Sequence, residues 1–426
     1  MGGRLRPRGA AAQVLTLLLV LTLLLGVTPA LALDSLDVHI GKALFKRPWV
    51  PAPSSTTADD GLGPLFDARS CASCHPASGR ARAVFDARGQ LNGRGVIVMI
   101  GQADGSADLV YGRRLQIDAV PGLPPEGIIA VTETALPDGR RQRAPRLDAL
   151  GYGPLDAKSG LSLRVAPDMH GRGAMAAVSD ATLLALEAEQ AKGTDGVHGL
   201  ARRIPQPDGS VRIGRFGWKA SQPDLASQSA EAFFLDMGMS NSHHPSPAGD
   251  CTPAQAACLA APHGARAPGT DGSPGLEIGD EVLNRVVAYV ASLPVRAPRP
   301  LSETSLEHGA ALFASSGCAA CHRPELPTAD GGQARLFSDL LLHDMGPDLG
   351  DTMPEPGVGA SQWRTAPLAG VSQALAHDTG LLHDGRARTV AEAVRWHGGE
   401  AAAAAARFQS LPARQQAILL KYVSSL

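Results

Sequence analysis

The 426-residue sequence predicts a mainly α fold of two related units, the first enlarged by a small strand-containing insertion. Three observations predict it. A C-x-x-C-H pentapeptide occurs twice, as Cys71-Ala72-Ser73-Cys74-His75 and Cys318-Ala319-Ala320-Cys321-His322. The segments around it recur in the same order, which marks an internal repeat. The stretch from His75 to Arg164 is about twice that from His322 to Arg364, and the extra length carries β-branched runs.

The elements follow in chain order. Arg4, Arg6 and Arg8 precede an apolar run from Val14 to Val27, and Ala30-Leu31-Ala32 reads as a cleavage site. Residues 1–32 are therefore expected to be an export signal, and the run is too short to span a bilayer comfortably. The first unit is expected over 33–295. It opens on a helix containing Gly41-Lys42-Ala43-Leu44-Phe45, echoed by Gly309-Ala310-Ala311-Leu312-Phe313 ahead of the second motif. The insertion is expected over about 84–154, with strands near Gly95–Ile100 and Gly127–Thr132. Arg164-Val165-Ala166-Pro167 is echoed by Arg364-Thr365-Ala366-Pro367. Closing helices are expected over Asp280–Leu293 and about Ala413–Leu426, where Ile418, Leu419, Tyr422 and Val423 recur at helical spacing. Their ends match, as Tyr289-Val290-Ala291-Ser292-Leu293 and Tyr422-Val423-Ser424-Ser425-Leu426. A Pro-rich stretch from Pro294 to Pro300 separates the units, and Thr304-x-x-Glu307 reads as a capping box opening the second, 296–426.

Composition narrows the function. A formal net charge of −2 argues against a nucleic-acid partner. No segment after residue 32 is long and apolar enough to span a membrane. Aromatic residues are only 4%, so a large apolar cofactor is expected to fill part of the core.

The pentapeptides carry the chemistry. C-x-x-C-H is the attachment signal of a c-type haem. Cys71 and Cys74, and Cys318 and Cys321, would bond two haems covalently, with His75 and His322 as axial iron ligands. A redox dithiol or half a zinc site is the competing reading, but a zinc site needs a further Cys or His pair nearby and none is present. Haem of this type is attached outside the cytoplasm, which agrees with export to the periplasm. The two remaining cysteines, Cys251 and Cys258, would close a disulfide in an oxidising compartment or remain as buried thiols. No His lies between His75 and His170, so the first iron is expected to be open, unless His170 closes it. Arg164 and Arg364 suit haem propionates.

Beyond these motifs, four segments resemble a known family: Gly63-Pro64-Leu65-Phe66 with Ser70-Cys71, Gly214–Ala220, Leu341–Pro347 and Leu382–Thr389. The chain resembles bacterial di-haem oxidoreductases that are called peroxidases or thiol oxidoreductases. It is similar, more distantly, to di-haem cytochrome c peroxidases and to the di-haem enzyme that matures methylamine dehydrogenase. The resemblance implies two cytochrome c-like domains whose first and last helices cross beside the haem. It matches Trp218 to a Trp between the haems and Gln228 to a Gln ten residues on. Asp236, in Asp236-Met237-Gly238, matches a catalytic acid two residues further on in the peroxidases. His397 takes the place of a distal Met or Tyr on the second haem, with Met345 as a rival and a plain helix histidine as the third reading. A calcium ion between the haems is allowed.

The implied activity is that of a peroxidase-like enzyme, its C-terminal haem feeding electrons to a catalytic N-terminal haem. The implied partners are a small oxidant such as peroxide and a small donor protein, a cytochrome or cupredoxin. A non-catalytic electron carrier, or an oxidant of a protein substrate, is the alternative.

Overall fold

The computed structural model describes residues 35–56, 58–265 and 275–426, so the expected signal segment 1–32 lies outside the described residues. Two helix crossings frame the chain. The opening helix Ser35–Lys46 packs on Asp280–Ser292, and Glu303–Ser315 packs on Ala413–Ser425. The repeat explains both crossings. A Cβ added at Gly41 would lie 1.9 Å from the Arg285 carbonyl oxygen, and one at Gly309 would lie 2.5 Å from Tyr422 Cβ. Glycine at the same place in each GxALF segment lets the helices approach through their backbones. The neighbouring Phe45 packs edge-on against Tyr289, and Phe313 against Tyr422. Ser302, rather than Thr304, caps Glu303–Ser315, accepting from Ser305 N at 3.3 Å.

The expectation of a mainly α fold is not met. Helix accounts for 32% and strand for 18%, and the described residues form seven two-stranded sheets. The longest ladders come from the enlarged first half. Val96–Gly101 pairs antiparallel with Gly160–Val165, and Ile128–Ala135 forms a hairpin with Arg141–Asp148. Their inner faces place Val96, Val98, Ile100, Ile129 and Leu163 in a core of their own. β-Branched side chains at alternate positions favour this pleated packing. The strand ending at Val165 extends the sheet beyond the expected 84–154 and takes in Arg164 from the repeated segment. The many glycines and prolines limit the remaining sheets to strands of two or three residues. Among the described residues, no helix is long and apolar enough to cross a membrane. Cys251 and Cys258 are joined as a disulfide, with Cα atoms 6.1 Å apart.

Candidate functional site

Each C-x-x-C-H motif opens onto a cavity. The N-terminal cavity, about 670 Å³, is bordered by Cys71, Cys74 and His75, and the C-terminal one, about 300 Å³, by Cys318, Cys321 and His322. Ser70 caps the short helix Cys71–Cys74 by accepting from Ser73 N, which presents both cysteines on one turn. His75 Nδ1 donates to the Pro167 carbonyl at 2.8 Å, and His322 Nδ1 to the Phe337 carbonyl at 3.0 Å. Each Nε2 is left as the free electron pair, the arrangement that orients a metal-bound imidazole. Burial pushes both imidazoles down to about 4, so they are neutral and able to ligate at neutral pH.

The two cavities differ in what faces the motif histidine. His397 lies across the C-terminal cavity, its ring centroid 6.4 Å from that of His322, a spacing that admits one metal ion between the two Nε2 atoms. Its Nδ1 donates to the Ala393 carbonyl at 2.8 Å, so its Nε2 is free as well. Met345 borders the same cavity. No second imidazole borders the N-terminal cavity among the described residues. His170 borders the other cavity and is bound to Asp168 at 2.8 Å. Met99, Met169, Met237 and Met353 border the N-terminal cavity.

Trp218 borders both cavities and donates from Nε1 to the Val165 carbonyl at 2.8 Å. His383 sits edge-on to it at 6.4 Å and stacks on Trp363 at 3.7 Å. Burial pushes His383 down to about 3, leaving this ring neutral. Trp363 escaped the sequence reading, although it immediately precedes Arg364 of the repeated segment.

Gln228 and Asp236 both border the N-terminal cavity from the helix Leu225–Met237, but they lie eight residues apart, roughly 12 Å along its axis. Asp236 is ion-paired with Arg114. Glu231, one turn from Gln228 and also on the cavity wall, was missed. Burial raises its carboxyl above the usual range, opposed by Arg114. Its spacing of three from Gln228 was the available signal.

Arg164, expected to meet a propionate, is already held by Glu355 at 2.6 Å. Arg80, Arg172 and Arg364 instead border the C-terminal cavity with no carboxylate partner among the described residues, and Arg80 Nε has no hydrogen bond. Burial lowers them to about 10, 10 and 9. Buried guanidinium groups with no carboxylate in direct contact suit an incoming dianionic group such as the two propionates of a haem. The thiol pairs, the free Nε2 atoms, the apolar walls and these arginines all fit haem.

Calcium fits less well. Among the described residues, one cluster of three side chains has metal-ligand spacing, Cys321, Asp339 and His343, and it offers a single carboxylate. His343 is bound by Asp339 at 2.9 Å and Glu400 at 2.8 Å. Burial opposes its charge, but hydrogen bonds to Asp339, Cys321 and Glu400 override this and raise it to about 12.

Two cavities, each opened by a C-x-x-C-H motif and sharing Trp218, define the class. The chain belongs to the family described as "Di-haem oxidoreductase, putative peroxidase", whose model matches residues 155–426. Among solved structures, "Kuenenia stuttgartiensis Hydrazine Synthase Pressurized with 20 bar Xenon" is similar at 16% identity and a TM-score of 0.25, over 61% of this chain and 87% of that one. No curated protein matches the chain.

Proposed function

We propose that the protein is a periplasmic di-haem c-type oxidoreductase in which a C-terminal electron-transfer haem feeds an N-terminal haem that acts on peroxide or another small oxidant. The observation that carries this reading is the inequality of the two cavities. An imidazole faces His322 across the C-terminal cavity, whereas among the described residues none faces His75 across the larger N-terminal one. In this reading Cys71, Cys74, Cys318 and Cys321 would bond the two haems, and His75, His322 and His397 would bind iron. A bound haem supplies a redox-active iron at each position.

The chain's own groups do the rest. His397 closes the C-terminal site to substrate and, as a stronger donor than Met, holds its potential low. The Asp236 carboxylate takes the proton of the inner peroxide oxygen and returns it to the outer one, while Gln228, about 12 Å away along the helix, orients the incoming oxidant from the far end of the cavity wall. Arg114 pairs with Asp236 and holds its carboxylate in place. Trp218 provides a short path between the cavities. The donor is a small cytochrome or cupredoxin. The thioethers of Met99, Met169, Met237 and Met353 favour a second reading, an electron carrier whose N-terminal iron is closed by sulfur.

Electron paramagnetic resonance of the purified protein separates the two readings. A high-spin ferric signal in the oxidised or half-reduced state supports the enzyme. Two low-spin haems in every redox state, with no reaction on adding hydrogen peroxide, refute it.

A further inference from the structure

Lys219 follows the tryptophan that borders both cavities, and its side chain is fully buried. Its ammonium donates to the Gly359 and Ala360 carbonyls at 3.0 and 2.9 Å. Asp351 Oδ2 lies 3.5 Å away, and the Trp363 ring centroid 4.3 Å away. Arg164 and Glu355, on the wall of the N-terminal cavity, act on the same charge, while Trp363 belongs to the wall of the other. The ammonium therefore sits between the two cavities.

We propose that the Gly359 and Ala360 carbonyls, the Asp351 carboxylate and the Trp363 ring face form a cation site between the cavities, filled by the chain's own Lys219 in place of a bound calcium ion. Carbonyl and carboxylate oxygens converging on a compact charge are the donor set a hard cation takes. An ammonium on a flexible stem reaches it as a point charge; two of its protons go to the Gly359 and Ala360 carbonyls, and the Asp351 carboxylate neutralises it from 3.5 Å. The indole face adds an attraction specific to cations.

Asp351 carries the second argument. Its side chain is only 4% exposed and its Oδ2 has no hydrogen bond; this ammonium is the nearest cation and offsets its charge more than Arg164 does. Without Lys219 a buried carboxylate would face two carbonyls, an arrangement that demands some other cation.

The site also fixes the bridge between the cavities. Arg364 N donates to the Trp218 carbonyl at 2.9 Å, so the ammonium and this bond together pin Trp218 to the segment 351–364. Lys219 is a positioning residue in this scheme, since it touches neither substrate nor iron.

The inference rests on reading the two cavities as haem sites, and its test is separable from that reading. A protein without haem absorbance fails the reading before either arm begins. In the first arm, the wild-type holoprotein is treated with EDTA. The expected result is no stoichiometric calcium on metal analysis and no change in optical spectrum or thermal midpoint. In the second arm, Lys219→Ala is expected to lower the midpoint on the order of 5 °C. Millimolar methylammonium should restore most of that loss, and methanol should not. One calcium per chain whose removal shifts the wild-type midpoint or spectrum overturns the proposal. So does a Lys219→Ala protein that methylammonium leaves unmoved. If that variant fails to fold, the chelation arm decides alone.

Discussion

Replacing His343 with glutamine tests the charged clamp beside the C-terminal haem motif. The imidazolium is 2% exposed and held between Asp339 and Glu400, and its proton is retained to about 12 against 6.5 in a free histidine. Removing it leaves two carboxylates facing each other without a cation, at a cost of about 3–5 kcal/mol near neutral pH. The sign of the pH dependence follows from the raised value. Below 6.5 the folded and unfolded states both hold the proton, and the full stabilisation is present. Above 6.5 only the folded state holds it, so stability falls by about 1.4 kcal/mol per pH unit until the folded group titrates. From pH 7 to pH 9 the gap between wild type and His343→Gln should therefore close by about 2.7 kcal/mol. Lys219, Glu126 and Asp67 also have shifted values near this window, but they are common to both proteins and cancel in the difference. Denaturant unfolding of the holoproteins at pH 7, 8 and 9 measures the gap. A gap that stays constant, or widens, means His343 is neutral in the folded protein and the clamp is not an ion triad.

Three further outcomes are expected. His397→Met should raise the potential of the C-terminal haem by on the order of 100 mV in a spectroelectrochemical titration, because a thioether stabilises ferric iron less than an imidazole does. An unchanged potential would remove His397 from the ligand set. Trp218→Phe, which loses the bond to the Val165 carbonyl, should slow electron transfer between the haems at least about tenfold in stopped-flow reoxidation while both haem spectra hold; a rate within error of wild type discards the bridge. Gly309→Ala places a Cβ 2.5 Å from Tyr422 Cβ and should cost about 1–3 kcal/mol, read as a lower thermal midpoint with haem content intact.

Some of this molecule was legible in its sequence, for physical reasons. The C-x-x-C-H motifs are local, so their cysteines and histidines could be placed without knowing the fold. The GxALF repeat marked both helix crossings, because the close approach demands glycine at one position in each. Pairing across long sequence distances was not legible. Arg164 looked equivalent to Arg364, yet the first meets Glu355, 191 residues on, while the second has no carboxylate partner among the described residues. Strand content was underestimated because the run at Ile128 pairs with the polar segment Arg141–Asp148, whose own pattern is weak, and the run at Val96 pairs with Gly160–Val165, a six-residue segment about sixty residues further on. Lys219 reads as an ordinary surface charge until the fold closes Asp351 over it.

The bond between Trp218 and Val165 has a consequence for anyone trimming this protein. Val165 ends the last strand of the added sheet. Its carbonyl receives the indole proton, and its amide donates to the His383 carbonyl at 2.7 Å. That strand thus holds Trp218 in place between the cavities and is more than decoration on the first half. A minimal version would have to spare the Val96–Val165 ladder and shorten the Ile128–Asp148 hairpin instead.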